Sequence, residues 1–210
     1  TRTYKPFDET DDDDGWARHG LSSTPFKSIV SVALSTMTGS KRCIAACVAL
    51  YEQVTTFEQL AAIDDAELTA LIKPVAHYNR KTQSLKKMAR QILDQHGGQL
   101  PQTREELMAL PGIGRKCTDI LMNFNFGEAS IAVDTHVFRL VNRLGLVHAD
   151  TAEDCADKLL DVTPAQYVPH AHELLIQHGM KICVARTPKC GLCPLLELCA
   201  FPDRRRLAAA

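Results

Sequence analysis

Apolar residues recur at three- and four-residue intervals along most of the chain, the spacing that places them on one face of an α-helix. Alternating valine-rich runs, which would indicate β-strands, are short, and turn residues do not occur in hairpin pairs. The predicted helices begin at Thr24-Pro25 and after Gly39-Ser40, and cover residues 56–62, 65–72, 79–96, 103–110, 115–125, 134–144, 151–161 and 164–180. The pattern therefore predicts an all-α fold.

The 210 residues are 45% apolar and 23% charged, which suits a packed core in one large domain or two small lobes. No uncharged apolar run reaches the roughly 18 residues that a membrane-spanning helix needs. No basic-then-apolar leader opens the chain, so we expect a cytoplasmic protein. The net charge of −1 excludes a strongly basic nucleic-acid binder, although it leaves room for local basic patches.

Charge is unevenly distributed along the chain. Residues 8–14 are mostly acidic and predict a flexible arm, whereas residues 79–90 and 181–206 are basic. Each basic run alone is typical of a solvated helix face. Together they fit a nucleic-acid surface only if the chemistry between them supports one.

The segment Leu110-Pro111-Gly112-Ile113-Gly114-Arg115-Lys116 joins two predicted helices in a short turn. Its glycines allow positive φ angles and leave backbone N–H groups bare at the start of the second helix, where they can bind a phosphate. Most such turns are ordinary connections between helices, and most lysines lie at the surface in solvent. The turn alone therefore does not establish a site.

The next informative segment is Val133-Asp134-Thr135-His136-Val137, in which Asp134 lies 18 residues after Lys116. Asp134 is placed to cap a helix N-terminus, and this structural role is sufficient to explain it. A carboxylate beside the positive end of a helix dipole also stays ionised, as a charge partner for an electrophilic carbon must.

The run from Leu110 to Arg143 resembles the helix-hairpin-helix DNA glycosylases of the endonuclease III family. Both segments are similar to that family's signature, with its spacing, and the likeness extends over most of residues 24–200. The resemblance implies that Lys116 is the nucleophile and Asp134 the essential carboxylate. It also implies that a monomer in the bacterial cytosol or nucleoid acts on double-stranded DNA containing damaged bases or abasic sites.

The resemblance further implies two helical lobes. Residues 24–133 would form a helical bundle with the hairpin, and residues 1–23 with 134–210 would form a second lobe. A basic cleft would place Lys116 opposite Asp134. The expected DNA-binding residues are Leu110, Gly112, Ile113, Gly114, Arg115, Met37, His77 and Lys189, and we expect Lys81 and Lys86 to contact phosphates as well.

Four of the eight cysteines are bunched within 17 residues: Cys183, Cys190, Cys193 and Cys199. In a reducing compartment, such a bunch indicates a metal centre more often than disulfides. The spacing alone also allows a four-cysteine zinc site. The order of intervals is similar to the loop by which endonuclease III relatives hold a [4Fe–4S] cluster, so the resemblance implies that cofactor, in a mainly structural role.

Two segments depart from the family pattern. Met37 stands in Ser35–Ser40 where the family usually has a glutamine that enters the space left by the extruded base, and Ser40 stands where an aspartate is usual. His77 stands in Val75–Asn79 in place of a leucine wedge. Methionine can fill volume but cannot form the hydrogen bonds of glutamine. Both segments are also compatible with plain surface loops.

The implied activity is base excision repair by a DNA glycosylase with AP lyase activity that removes oxidised pyrimidines. The lysine would form a Schiff base and the 3′ phosphate would leave by β-elimination. The altered residues keep two alternatives open. One is a monofunctional glycosylase in which Asp134 activates water and lesion preference is changed. The other is a catalytically weak protein that binds lesions.

Overall fold

The computed structural model describes Trp16 and residues 18–209, and this part of the chain is helical without β-strands. The predicted all-α class is confirmed. The acidic segment 8–14 lies outside the described residues. The α-helices of the described part are α1 (Pro25–Ser35), α2 (Ser40–Tyr51), α3 (Phe57–Ala62), α4 (Asp65–Ile72), α5 (Tyr78–His96), α6 (Arg104–Met108), α7 (Arg115–Phe126), α8 (Thr135–Leu144), α9 (Ala152–Val162), α10 (Val168–Lys181) and α11 (Arg204–Ala208). Short 3₁₀ helices cover Ala165–Tyr167, Cys190–Leu192 and Leu196–Leu198.

The described chain divides into two compact units between Phe126 and Gly127. In the N-terminal unit, α1 is the central helix and packs against α2, α5 and α7. It begins where the sequence predicts, because the Thr24 side chain accepts a hydrogen bond from the Lys27 N–H group at 3.2 Å and Pro25 occupies the first turn. Most of its length is buried, so apolar side chains surround it on all sides.

The long helix α5 supports one side of this core. Leu85, Met88 and Ile92 are buried, and so is Lys86, whereas Arg80, Lys87 and Arg90 are exposed. The helix ends at Gly97, whose φ of +59° is left-handed and is a conformation that glycine adopts without steric cost. The predicted stop at this glycine is therefore confirmed.

The C-terminal unit has its own core, in which α8 packs against α10. The two helices approach most closely at Gly179, where a Cβ atom would lie 2.9 Å from the carbonyl oxygen of His136. A side chain at that position would collide with backbone. Glycine therefore sets the distance between α10 and the first turn of α8.

The sequence groups residues 1–23 with the C-terminal lobe. In the described part of this segment, the structure shows a different grouping. Leu21 is completely buried in the core of the N-terminal unit, and Trp16 packs against that core. Burial of these apolar side chains ties Trp16 and residues 18–23 to that unit. The division after Phe126 also falls earlier than the predicted 133/134 boundary. Among the described residues, none of the helices has the length and apolar character needed to cross a bilayer.

Candidate functional site

The glycine turn between α6 and α7 exposes backbone and buries its apolar side chains. Leu110 and Ile113 lie in the core, and the Ile113 N–H group donates to the Leu110 carbonyl at 3.1 Å. Gly112 has a φ of +87°, and a Cβ atom there would lie 3.2 Å from the Cβ of Ser84. Gly112 and Gly114 are exposed. The turn therefore offers main-chain groups to a ligand, while its apolar side chains anchor it.

A buried carboxylate joins the two helices of this hairpin. Asp119 on α7 is almost completely buried and accepts a hydrogen bond from Arg104 on α6. Its other partner is Arg115, whose Nε lies 3.0 Å from the carboxylate oxygen. The sequence groups Arg115 with the DNA contacts, but the structure gives its Nε group an internal partner. Two arginines can stabilise a buried carboxylate that burial alone would destabilise.

Lys116 is the second residue of α7 and is half-buried. Its neighbour Cys117 is buried, and burial raises the pKa of the Cys117 thiol. The positive charges of Lys116 and Lys81 oppose that rise and also act on the Cys43 thiol. Lys116 therefore lies near the buried thiols of Cys43 and Cys117 in the N-terminal core, directly after the exposed turn in the chain.

Asp134 belongs to the C-terminal unit and caps α8, as the sequence predicts. One of its carboxylate oxygens accepts the N–H groups of His136 and Val137 at 2.8 and 2.9 Å. The extended segment before it is fixed in turn, because Nδ1 of His172 lies 2.7 Å from the carbonyl oxygen of Ala132. These contacts hold the carboxylate in one orientation on a half-buried surface.

Met37 and His77 share an uncommon backbone conformation. Their φ angles are +53° and +55°, and they are the non-glycine residues of the described chain with positive φ. Both side chains are exposed, that of Met37 by 83%. The two turns are directly linked, because the Ala76 N–H group donates to the hydroxyl of Thr38 at 3.1 Å. The two residues that depart from the family pattern therefore project from adjoining strained turns.

Two lysines expected to contact phosphates have internal partners instead. The Lys81 ammonium group donates to oxygens at the end of α1, and burial lowers its pKa. Lys86 is buried, donates to the Ile63 carbonyl, and forms an ion pair with Asp65 at 2.7 Å. The prediction of DNA contacts is wrong for these two side chains, because carbonyl and carboxylate oxygens of the protein already hold their ammonium groups. Lys189 is exposed, as the prediction for it requires.

The four bunched cysteines line a single pocket in the C-terminal unit, together with apolar side chains of α8 and with His178 of α10. Among the described residues, no three side chains of ligand type converge tightly enough for one metal ion. Burial, followed by the charges of Cys183 and Cys199, raises the pKa of the Cys190 thiol. Four thiolates in this pocket therefore repel one another unless a cationic centre compensates, which suits an iron–sulfur cluster.

Arg143 near the end of α8 connects that helix to the cysteine loop. Its guanidinium group donates to the carbonyls of Val184 and Ala185, both at 2.9 Å, and to the sulfur of Cys183 at 3.6 Å. It also lies over the ring of Phe201 at 4.8 Å. These contacts hold the start of the loop against α8.

His178 on α10 forms the opposite wall of the same pocket. Its ring Nε2 lies 3.6 Å from the sulfur of Cys193, and burial lowers the pKa of the imidazole. A buried polar group needs such a partner. The sulfur of Cys183 thus has a hydrogen-bonding neighbour on α8, and the sulfur of Cys193 has one on α10.

Comparisons with known proteins place these features in a family. Residues 30–165 match the HhH-GPD superfamily base excision DNA repair proteins, and residues 183–199 match the iron-sulfur binding domain of endonuclease III. Endonuclease III of Escherichia coli strain K12 is 36% identical over 182 residues, which cover 87% of this chain and 86% of that protein. The chain belongs to the endonuclease III family.

Relatives from other bacteria and solved structures agree with this assignment. Endonuclease III of Bacillus subtilis strain 168 is 34% identical over 186 residues, covering 88% of this chain and 85% of that protein. A structure of a non-covalent endonuclease III–DNA complex is similar with a TM-score of 0.82 and 32% identity, covering 87% of this chain and 86% of that one. A structure of a trapped endonuclease III–DNA covalent intermediate is similar with a TM-score of 0.81 and 30% identity, covering 92% of this chain and 94% of that one.

This endonuclease III family member is a base excision repair DNA glycosylase with AP lyase activity, and it binds DNA. It carries a [4Fe–4S] cluster, which confirms the cofactor prediction. The fold, the family and the type of enzyme expected from the sequence are likewise confirmed.

Some supporting residues of this endonuclease III site were not found by sequence reasoning. Asp119, Arg143 and His178 support the hairpin and the cysteine pocket, but their partners lie up to 42 residues away or on another helix. The usable signal for Asp119 was an acid four residues after Arg115, the spacing of an ion pair on a helix. The signal for Arg143 was a basic residue in the last turn of α8.

Proposed function

We propose that this chain removes oxidised pyrimidines from double-stranded DNA and cleaves the resulting abasic site, with Lys116 as the nucleophile. The observation that carries the proposal is the position of Lys116, a half-buried lysine in the first turn of a helix that follows an exposed glycine turn. Main-chain N–H groups in such a turn can hold a phosphate of the damaged strand. The adjacent amine is then placed beside the sugar of an extruded nucleotide.

In the proposed reaction, the neutral amine of Lys116 attacks C1′ of that nucleotide. The N–C1′ bond forms as the glycosidic bond breaks, and the damaged base leaves with the bonding electrons and a proton. Opening of the sugar ring then gives a Schiff base between the lysine and C1′. Its electron demand acidifies the C2′ proton, whose loss forms a double bond to C3′ and expels the 3′ phosphate.

Asp134 supplies a negative charge in this scheme. Two N–H groups of α8 hold its carboxylate at the positive end of the helix dipole. The positive charge that develops on the sugar as the base departs is stabilised by an ionised carboxylate with fixed orientation. The proposal requires Asp134 and Lys116 to act on the same nucleotide.

The DNA contacts belong to the same proposal. The main-chain groups of Leu110, Gly112, Ile113 and Gly114 and the side chain of Arg115 bind the damaged strand, and the exposed Lys189 contacts phosphate. Met37 and His77 enter the space that the extruded nucleotide leaves. Because methionine fills volume without hydrogen bonding, it favours no particular opposite base. We also propose that the protein works as a monomer in the bacterial cytosol or nucleoid.

The proposed ligands of the cluster are Cys183, Cys190, Cys193 and Cys199, which line one pocket. When bound, the cluster organises the loop around it, and the chain's own residues carry the reaction. Cys155 is buried in the same unit but lies on α9, so it serves as a control. Replacing Cys193 by serine should lower bound iron, whereas replacing Cys155 by alanine should leave the iron content unchanged.

Borohydride trapping on a duplex with one abasic site tests the proposed mechanism. The wild-type chain should be captured covalently on the DNA, and Lys116→Gln should abolish capture while it still binds the duplex. Asp134→Asn should slow capture without removing it, because it retains the amine. On a second duplex that carries an oxidised pyrimidine instead of the abasic site, release of free base without capture would favour activation of water by Asp134. Binding with neither activity would favour a lesion-binding protein.

A further inference from the structure

Lys81 makes contact with both of the turns that carry Met37 and His77. Its backbone N–H group donates to the carbonyl of His77 at 3.0 Å, in the first turn of α5. Its side chain reaches the other turn, where the ammonium group donates to the hydroxyl of Thr38 at 3.1 Å. One residue thereby joins two segments that are about forty positions apart in the sequence.

The same ammonium group completes the end of α1. It donates to the carbonyls of Leu34 and Thr36, each at 2.7 Å, which face the end of a helix where intrahelical donors are lacking. The Thr38 hydroxyl receives hydrogen bonds from both the Lys81 ammonium group and the Ala76 N–H group. Three oxygens at and just after the end of α1 therefore contact one nitrogen atom, and the Ala76 N–H group is linked to that nitrogen through the Thr38 hydroxyl.

A charged ammonium group at the half-buried position of Lys81 is unfavourable unless its hydrogen bonds compensate for the lost hydration. Burial lowers the pKa of Lys81, so the surrounding protein disfavours its charged form. The left-handed φ angles of Met37 and His77 are strained for residues that carry a Cβ atom, and such angles persist only where neighbouring contacts impose them. Lys81 forms hydrogen bonds with both strained turns, in addition to the direct bond between Ala76 and Thr38.

We propose that Lys81 is a positioning residue that fixes the Met37 and His77 turns as one rigid unit for entry into duplex DNA. This inference rests on the proposed function of those two side chains. Lys81 does not touch the reacting atoms in this scheme. It acts by keeping two exposed side chains at a set separation, so that both can occupy the opened duplex at once.

The consequence distinguishes duplex from single-stranded DNA. In a duplex, Met37 and His77 must replace the extruded nucleotide, so their placement affects the rate. A single strand has no stack to enter, so their placement matters little. Loss of Lys81 should therefore reduce reaction on a duplex far more than on a single strand.

Lys86 provides a matched control on the same helix. Like Lys81, it is a lysine whose ammonium group donates to a backbone carbonyl, that of Ile63, and it also pairs with Asp65. Its partners lie at the ends of α3 and α4, away from both strained turns. Lys81→Met and Lys86→Met thus each remove one internal ammonium group from α5.

The experiment measures borohydride trapping rates on one abasic oligonucleotide, alone and annealed to its complement, for the full-length holoprotein. Lys81→Met should lower the ratio of duplex to single-strand rates by about tenfold to a hundredfold. Lys86→Met should keep the wild-type ratio. Thr38→Val removes the shared hydroxyl with little change in volume and should lower the ratio as well. This variant serves as the test if Lys81→Met does not fold.

The inference would be overturned if Lys81→Met had the same ratio of duplex to single-strand rates as Lys86→Met and wild type. If Lys81→Met does not fold, an unchanged ratio for Thr38→Val would overturn it. Equal losses on duplex and single strand would also overturn it, because they indicate general structural damage. Absence of capture by the wild-type chain on either substrate would contradict the proposed function instead. The two failures are therefore distinguishable.

Discussion

At the scale of single residues, Met37 and His77 show where this chain departs from good local geometry. Left-handed backbone suits glycine, yet both positions carry large exposed side chains. Exposed side chains contribute little to the core, so stability does not account for their presence. Strain retained at exposed positions is typical of functional sites.

Met37→Gly should raise the free energy of unfolding by roughly 0.5–1 kcal/mol, because glycine adopts the left-handed conformation without steric cost. It should also lower the trapping rate on abasic duplexes, since the exposed side chain is lost. Urea unfolding and borohydride trapping provide the two measurements. Gly97→Ala is the reverse control: Gly97 has a φ of +59° with open space around its Cβ position, and alanine should cost about 1 kcal/mol. A Met37→Gly protein less stable than wild type would contradict this reading of strain.

At the scale of helices, the sequence predicted the elements well because their signals are local. Thr24 and Asp134 cap α1 and α8 as expected, and α5 ends at Gly97. The Thr103 hydroxyl accepts the Glu106 N–H group at 3.3 Å, so the predicted cap of α6 is present. Each signal lies within a few residues of the structure that it specifies.

The partners of charged side chains could not be predicted in the same way. Lys81 and Lys86 look like exposed cations in the basic run, but they bind oxygens 47 and 23 positions earlier in the chain. Helical periodicity gives the face on which a residue lies, and it gives no information about the distant backbone that meets that face. The candidate nucleophile and carboxylate were accessible through motif likeness, whereas the groups that support them depend on tertiary contacts.

The packing of α6 against α7 depends on the buried carboxylate of Asp119. Asp119→Ala should lower the free energy of unfolding by about 2–4 kcal/mol, because Arg104 and Arg115 would lose their shared partner in a partly buried site. Denaturant unfolding measures the loss. The control is Asp154→Ala, which removes an exposed pair with Lys158 and should cost at most about 1 kcal/mol. Equal losses in the two variants would show that burial of Asp119 adds nothing.

At the scale of the whole molecule, the two units have separate cores. One buried cluster runs from Leu21 to Met122 and the other from Ile131 to Ala171. The cysteine pocket belongs entirely to the second. Metal binding contributes folding free energy where its ligands are brought together, so its contribution should be confined to that unit.

Removal of iron should therefore lower hydrogen-exchange protection in residues 127–209 and leave residues 18–126 close to their protection in the holoprotein. Peptide-level mass spectrometry compares the holoprotein with Cys193→Ser, and Cys155→Ala serves as the variant that retains iron. Uniform loss of protection over both units would mean that the chain unfolds as one cooperative body. Full protection in both would mean that the loop folds without metal.

Helix α8 has the cap formed by Asp134 at one end and Arg143, which grips the cysteine loop, at the other. A helix of this length behaves as a stiff rod of about 15 Å. A tilt of a few degrees at the metal end would then swing the acid end by about 1 Å, a misplacement that can reduce an enzymatic rate about a hundredfold. Because both ends belong to one stiff helix, the orientation of the Asp134 carboxylate depends on how Arg143 holds the cysteine loop at the other end.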